Sequence, residues 1–227
     1  MSDGAREAAA TAALELISEG MTIGLGSGRA VWKVVELLSA RSGVRAVVAS
    51  ERTDELARTA GIEVVALDGS VSIDLALDGA DEVDPSLRLI KGGGGALLRE
   101  KIVVAAASSF VVVAESAKLV DRLGAGFRLP VEVVRFGWQD TRRRLSSLLP
   151  DATLRERDDG EPYVTDEGHY ILDCALPVDA DVDLLDSMLK LVPGVVEHGL
   201  FIGMADRALL GEPDGGVRVL NRGGSAS

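Results

Sequence analysis

Apolar residues recur along this chain at helical spacing in some stretches and in short unbroken runs in others. Residues 6–18 (REAAATAALELIS) return Ala, Leu and Ile at helical spacing among strong helix formers, so they are read as a helix. Residues 21–25 form a short apolar run, a buried strand, which the glycines of GLGSGRA end before VWKVVELLSA resumes the helical period. The alternation then repeats. RAVVAS, IEVVAL and IDLALD read as strands, the last ending at Asp78, while TDELARTAG reads as a helix closed by Gly61. ALLREKIVVAAASS is a further helix and FVVVAE a further strand. Strands alternating with helices imply a mainly parallel sheet, so a Rossmann-like α/β domain is expected over residues 1–127.

From Leu129 the order changes. VEVVRFG reads as a strand, QDTRRRLSSLL as a helix, ATLRER and YVTDEGHYILDCAL as strands with a hairpin turn at TDEG, DVDLLDSMLKLV as a helix and GVVEHGLFIG as a strand. Strand, helix, strand, strand, helix, strand is the order of a smaller ferredoxin-like α+β domain, expected over 128–202. The segment ADRALLGEPDGGVRVL is too short to fold alone, so 203–220 are expected to rejoin the first domain, leaving 221–227 as a flexible tail. No internal repeat is present.

Composition narrows the partners. A chain of 227 residues suits one large domain with a smaller companion. Thirty-six acidic residues against 24 basic ones give a formal charge of −12, which repels nucleic acid and anionic membranes, so neither is expected as a partner. A phosphorylated metabolite remains compatible with this charge wherever backbone N–H groups and a few cations gather locally. No apolar run reaches the ~20 residues that span a bilayer. The single cysteine, Cys174, has no internal partner, and no signal-peptide pattern is visible, so a soluble, cytoplasmic protein is expected.

Three segments carry candidate chemistry. The turn Gly24-Leu25-Gly26-Ser27-Gly28-Arg29 joins a strand to a helix, where inward N–H groups and the helix N-terminus hold phosphate. The same turn is equally readable as a tight connection with no ligand. It is not a dinucleotide fingerprint, because Arg29 stands where the third glycine is needed, nor a Walker loop. In LDGADEVDP, Asp78 falls at the carboxyl end of a strand with Gly79, Ala80 and Asp81 after it, where open α/β sheets bind ligands. The alternative is that Asp78 and Asp81 only satisfy turn N–H groups and that Glu82 and Asp84 are solvated. The calcium-loop pattern does not fit this segment. In IKGGGGALLREK, Lys91 precedes four successive glycines, a run that implies close approach of backbone to something else. Glu100 lies near the apolar stripe of the following helix, a setting that raises a carboxyl toward the range of a general base. Its alternative is a surface carboxylate paired with a neighbouring base, and Arg99 and Lys101 read as solvated. Lys118 follows another strand and taken alone reads as a surface residue, the alternative being that it adds a cation at the same sheet edge. Trp32 and Trp138 read as packing residues, His169 and His198 lack metal-ligand spacing, and no histidine near Ser27 would make it a nucleophile.

GLGSG, LDGADEVDP, IKGGGGALLREK, AESAKLVDRLG, LPVEV, DEGHYILDC and VPGVVEHGLF occur in this order over nearly the whole chain, and together they resemble the signature of the ribose-5-phosphate isomerase A family. The resemblance implies a Rossmann-like domain with a ferredoxin-like one, a homo-oligomer (dimer or tetramer), and metal-independent interconversion of D-ribose 5-phosphate and D-ribulose 5-phosphate through an enediolate. That reaction belongs to the non-oxidative pentose phosphate pathway and needs no cofactor. By resemblance, Glu100 moves the proton between C2 and C1. Asp78 and Asp81 bind sugar hydroxyls and assist ring opening, and Lys91 with the backbone of Gly92, Gly93 and Gly94 stabilises the enediolate oxygen. Ser27, Gly28 and Lys118 line the substrate or phosphate site, to which Gly26, Arg29, Gly79 and Ala80 are added as neighbours. The chain departs from the family where Arg29 and Ala30 replace two hydroxyl residues and where Arg6 stands for a lysine in the first helix. Two rivals are a sugar-phosphate-sensing domain of a regulator, which the missing helix-turn-helix and the charge disfavour, and a nucleotide-dependent oxidoreductase, which fails on the fingerprint.

Overall fold

Alternating apolar runs and amphipathic stretches set the first half of the chain. In the computed structural model, which describes residues 3–39 and 43–223, the order begins α1 (Asp3–Leu14), β1 (Thr22–Leu25), α2 (Arg29–Leu38), β2 (Arg45–Val48), α3 (Glu51–Thr59), β3 (Glu63–Val64) and β4 (Leu75–Asp78). It continues β5 (Glu82–Val83), β6 (Leu89–Ile90), α4 (Leu97–Ala105), β7 (Phe110–Glu115) and a 3₁₀ turn at Ser116–Lys118. The second half runs β8 (Leu129–Val133), α5 (Trp138–Leu145), β9 (Thr153–Leu154), β10 (Tyr170–Cys174), α6 (Val182–Leu189), β11 (Val195–His198), β12 (Leu200–Phe201), β13 (Arg207–Gly211) and β14 (Val217–Asn221).

The large sheet has the order β14-β13-β7-β4-β1-β2-β3, parallel throughout except for β14. β1 and β4 are buried along their whole length, as central strands of a two-sided parallel sheet must be. One apolar cluster fills the side covered by α1, α2 and α3, and another the opposite face around Phe110, Val112 and Phe201. Ser50 caps α3, its hydroxyl accepting from the Thr53 N–H at 3.1 Å. The chain leaves β1 toward β2 on one side and reaches β4 on the other, so the strand order reverses between β1 and β4, the place where open α/β sheets hold ligands.

The small sheet has the order β11-β8-β10-β9, all neighbours antiparallel, with α5 and α6 packed on one apolar cluster that includes Leu145, Leu185 and Leu189. This is the ferredoxin-like arrangement expected from the sequence. A third sheet, β12-β6-β5, was not anticipated. It arises because the expected strand GVVEHGLFIG is broken at Gly199, whose backbone is wedged between two others: its N–H donates to the Pro130 carbonyl at 2.7 Å, and its own carbonyl accepts from the Lys91 N–H at 2.9 Å. β11 therefore joins the small sheet and β12 pairs with the strand that leads into Lys91.

Several boundaries shift. IEVVAL shortens to β3 at the sheet edge, where no further strand holds it, and the first helix begins and ends earlier than 6–18. β14 runs to Asn221, so the expected tail at 221–227 starts too soon; residues 224–227, and Ala40 at the end of the expected second helix, lie outside the described residues.

Candidate active site

β4 ends on Asp78, and the parallel register that pairs Leu25 with Leu77 sets Gly26 directly against it. The approach is so close that a Cβ on Gly26 would fall inside the Asp78 carboxyl group, which explains a glycine there without any appeal to a ligand. Asp78 is 1% exposed. Its Oδ1 accepts from the Gly79 N–H at 2.7 Å and the Ser27 N–H at 3.3 Å, and its Oδ2 faces Lys91 Nζ at 2.9 Å.

Lys91 comes from the end of β6 and is 2% exposed. Its ammonium donates to the Gly79 carbonyl at 2.7 Å, lies 3.1 Å from Glu100 Oε2, and sits 5.4 Å from the centre of the Phe201 ring. Glu100, on the first turn of α4 and 4% exposed, is thus joined to Asp78 through one shared cation. Neither Asp78 Oδ2 nor Glu100 Oε2 has any other partner. Two carboxylates and one ammonium leave an excess negative charge in a dry site, and the titration behaviour follows. Burial, and then repulsion from Asp78, raise the Glu100 carboxyl from its ordinary 4.5 to about 8 in spite of Lys91. Burial likewise raises the Asp78 carboxyl. For Lys91 burial works the other way, but Asp78 and Glu100 outweigh it and hold the ammonium well above the ordinary lysine value. Lys91 is therefore a fixed positive charge, whereas Glu100 can hold or release a proton near neutrality.

The other expected residues gather around this triad. A cleft of about 390 Å³ is lined by Ser27, Gly28 and Arg29 from the first turn, by Gly79, Ala80 and Asp81 after β4, and by Lys91, Gly92, Gly93, Gly94, Glu100 and Lys118. Asp81 accepts from the Gly93 N–H at 2.8 Å, tying the two loops together. Of the candidate residues, Gly26 and Asp78 lie beneath the cleft rather than on its wall. Arg6, Trp32 and Glu115 also line it, and of these only Arg6 is given a place there by the family resemblance. Glu115 ends β7 just as Asp78 ends β4, a positional signal that was available; it binds Arg6 at 2.5 Å. Trp32 does more than pack: its indole N–H donates to Thr53 Oγ1 at 3.2 Å, and the Thr53 hydroxyl donates to the Gly26 carbonyl at 2.9 Å, which steadies the turn. Ser50 extends this bracing by donating to Ser27 Oγ at 3.1 Å.

Lys101, read as solvated, and Glu82 and Asp84, solvated in the alternative reading of their segment, are all buried. Glu82 accepts from the Gly124 and Gly126 N–H groups at 2.6 Å each, Asp84 binds Arg88 and the N–H groups of Ser86 and Arg88, and Lys101 is buried against Glu197 and the His198 carbonyl. Glu82 and Lys101 meet partners more than 40 residues away, contacts invisible to local periodicity, whereas Asp84 is held by residues of its own turn. His169 binds Glu132 at 2.9 Å and His198 is buried beside Asp186 and Glu197. Among the described residues no group of three His, Cys, Asp or Glu is placed to hold a metal ion, and no helix is long and apolar enough to cross a membrane.

Comparison with known proteins points one way. A family model described as ribose 5-phosphate isomerase A (phosphoriboisomerase A) matches residues 45–215. The chain is 50% identical over 220 residues to the ribose-5-phosphate isomerase A of Roseiflexus castenholzii, covering 94% of each. Its fold superposes on the ribose 5-phosphate isomerase A of Methanocaldococcus jannaschii with a TM-score of 0.91 and 34% identity, over 97% of this chain and all of the other. A D-ribose-5-phosphate isomerase solved in complex with phospho-erythronic acid matches with a TM-score of 0.90 and 35% identity, over 98% of this chain and all of that one.

Proposed function

The chain belongs to the ribose 5-phosphate isomerase A family, and from that premise we propose how its own residues interconvert D-ribose 5-phosphate and D-ribulose 5-phosphate. The observation that carries the reading is the buried Asp78–Lys91–Glu100 triad beside the glycine loop. Isomerisation begins with the open-chain sugar, and Asp81, on the cleft wall after β4, is suited to bind its hydroxyls and assist ring opening, while Asp78 beneath the cleft holds Lys91. Glu100, once ionised, removes the proton from C2; the electron pair forms the C1–C2 double bond of the enediolate. The proton returns from the Glu100 carboxyl to C1, the oxygen on C2 becomes the carbonyl, and the hydroxyl proton shifts from O2 to O1. Negative charge on oxygen in the intermediate is offset by N–H groups of the glycine loop and by the fixed Lys91 ammonium, which its burial makes more effective than it would be in water.

The phosphate, which takes no part in the chemistry, is assigned to the cationic end of the cleft, where the Ser27–Arg29 turn opens α2 and Lys118 follows β7. No metal ion or redox cofactor has a step in this sequence. A sugar-phosphate sensor without activity would have no use for a buried base held against a buried cation, so the triad favours catalysis over binding alone.

We further read residues 1–127 with 203–220 as the catalytic domain and 128–202 as the small one, a division supported by the return of β13 and β14 to the large sheet. A homo-oligomer, dimer or tetramer, in the cytoplasm is supported by exposed apolar residues such as Phe136 and Leu191 and by a lone buried Cys174; light scattering of the purified protein distinguishes the oligomers. Purified protein given ribose 5-phosphate should form ribulose 5-phosphate, and no ketose formed at any enzyme concentration would end the reading.

A further inference from the structure

The glycine loop is held from outside its own domain, and by side chains with no part in the reading so far. Arg155 and Tyr163 stand opposite each other on a hairpin of the small domain, the Tyr163 N–H donating to the Arg155 carbonyl at 2.9 Å. Arg155 is itself fixed: its Nε and Nη2 bind both oxygens of Asp173 at 2.8 and 2.5 Å, a bidentate pair that is only 14% and 23% exposed. Its remaining nitrogen, Nη1, donates to the Gly92 carbonyl at 2.8 Å and the Gly93 carbonyl at 3.2 Å. The Tyr163 hydroxyl donates to the next carbonyl, that of Gly94, at 3.1 Å, and its ring lies so close to Gly95 that a Cβ there would overlap it. Three successive carbonyls of the loop thus point at one small-domain hairpin.

A trans peptide is planar, so the N–H that follows each carbonyl points the opposite way. The Gly93 N–H, set by the Gly92 carbonyl, reaches Asp81 at 2.8 Å. The Gly95 N–H closes a turn on the Gly92 carbonyl at 3.0 Å. The Gly94 N–H, set by the Gly93 carbonyl, meets no protein acceptor among the described residues, and Gly94 lines the cleft at the approach to α4. Glycine has no side chain to hold these peptides in place, so the orientation must come from what the carbonyls bind.

We propose that Arg155, oriented by Asp173, and Tyr163 are positioning residues that lock the Gly92–Gly94 carbonyls toward the small domain and so present the Gly94 N–H to the enediolate oxygen. The proposal rests on the isomerase reading and deepens it. It ties the small domain to the chemistry: the hairpin at 155–163 touches no reacting atom, yet it sets a donor that acts when charge develops. Because that donor meets an oxyanion only in the intermediate, loosening the loop lowers kcat and leaves ground-state binding nearly intact.

The test uses two variants of the full-length protein with ribose 5-phosphate as substrate and phospho-erythronic acid as inhibitor, since a carboxylate at C1 of that acid presents the planar, anionic oxygens that the intermediate carries. Arg155→Gln should lower kcat about 10-fold with KM within about twofold, and should raise the phospho-erythronic acid inhibition constant by the same factor as kcat falls. Arg155→Lys, which restores one cationic donor without the fork, should fall between Gln and the wild type. Tyr163→Phe removes one hydroxyl and leaves the ring, so it keeps the fold and should lower kcat about threefold with a matching loss of inhibitor affinity. The clamp is overturned if kcat and the inhibition constant of Tyr163→Phe and of a folded Arg155→Gln stay within twofold of the wild type. It is equally overturned if KM rises together with the inhibition constant at unchanged kcat. An inactive wild type would remove the isomerase reading and the clamp with it, whereas an active wild type with indifferent variants removes the clamp alone.

Discussion

Replacing Glu100 by glutamine separates the electrostatics of the triad from its shape. Glu100 shares Lys91 with Asp78, at 3.1 and 2.9 Å, so its ionised form has half a counter-charge in a buried site. Its carboxyl titrates near its ordinary 4.5 in the unfolded chain and near 8 in the folded one. Between those values the folded protein keeps a proton that the unfolded chain has released, and stability is lost as pH rises through that window. At about 1.36 kcal/mol per unit the window sets a ceiling near 5 kcal/mol. Glutamine has no proton to hold, so this loss should vanish. Wild type and Glu100→Gln should differ little at about pH 5, and the variant should gain about 2 to 5 kcal/mol relative to the wild type by about pH 8. Urea unfolding of both proteins across this range measures the difference. The same variant should lose ~10²-fold or more in kcat while still binding ribose 5-phosphate, because an amide keeps the shape but cannot take the proton. A stability difference that stays flat with pH would mean that the carboxyl is not held protonated by burial. Near-normal turnover would remove Glu100 as the base.

The base must be ionised to act, so kcat/KM should fall with one-proton slope as pH drops below about 8, with the apparent value belonging to the whole triad; a profile level down to about pH 6 would contradict this. Arg29 begins α2 on the rim of the cleft, where a guanidinium can pair with phosphate, and Arg29→Ala should raise KM with little change in kcat and a smaller penalty at high salt. An unchanged KM at low ionic strength would leave Arg29 outside the phosphate site. Exhaustive EDTA treatment should leave turnover intact; a loss restored by added divalent metal would move the acidic residues around Asp81 from sugar binding to metal binding.

Residues whose position follows from local order were legible in the sequence. Asp78 ends an apolar strand, the glycine run implies a close backbone approach, and Glu100 falls near the apolar stripe of its helix; each signal is carried by a few consecutive residues. What local order does not carry is pairing across the chain. Lys101 looks solvated because its partners, Glu197 and the His198 carbonyl, are almost a hundred residues away. Gly199 reads as one more residue of a strand, yet the backbones of Pro130 and Lys91 close on it and split the strand between two sheets. Glu82 looks like one of four exposed acids until β5 pairs with β6 and buries it under the loop that carries Gly124 and Gly126. Arg155 and Tyr163 likewise belong to the glycine loop only after the small domain is set against it. The parallel sheet and the triad's members are therefore local facts, and the bracing around them is tertiary.

The central claim is that a proton leaves C2 of ribose 5-phosphate for a carboxylate and returns to C1. Running the reaction in D₂O and examining the product by NMR tests it directly. A base that exchanges with solvent between the two transfers should leave deuterium at C1 of ribulose 5-phosphate, and Glu100→Gln should slow the formation of ketose and label together by ~10²-fold or more. Ribulose 5-phosphate formed by Glu100→Gln at the wild-type rate, with or without deuterium at C1, would mean that the Glu100 carboxyl does not carry the proton, and would contradict the account.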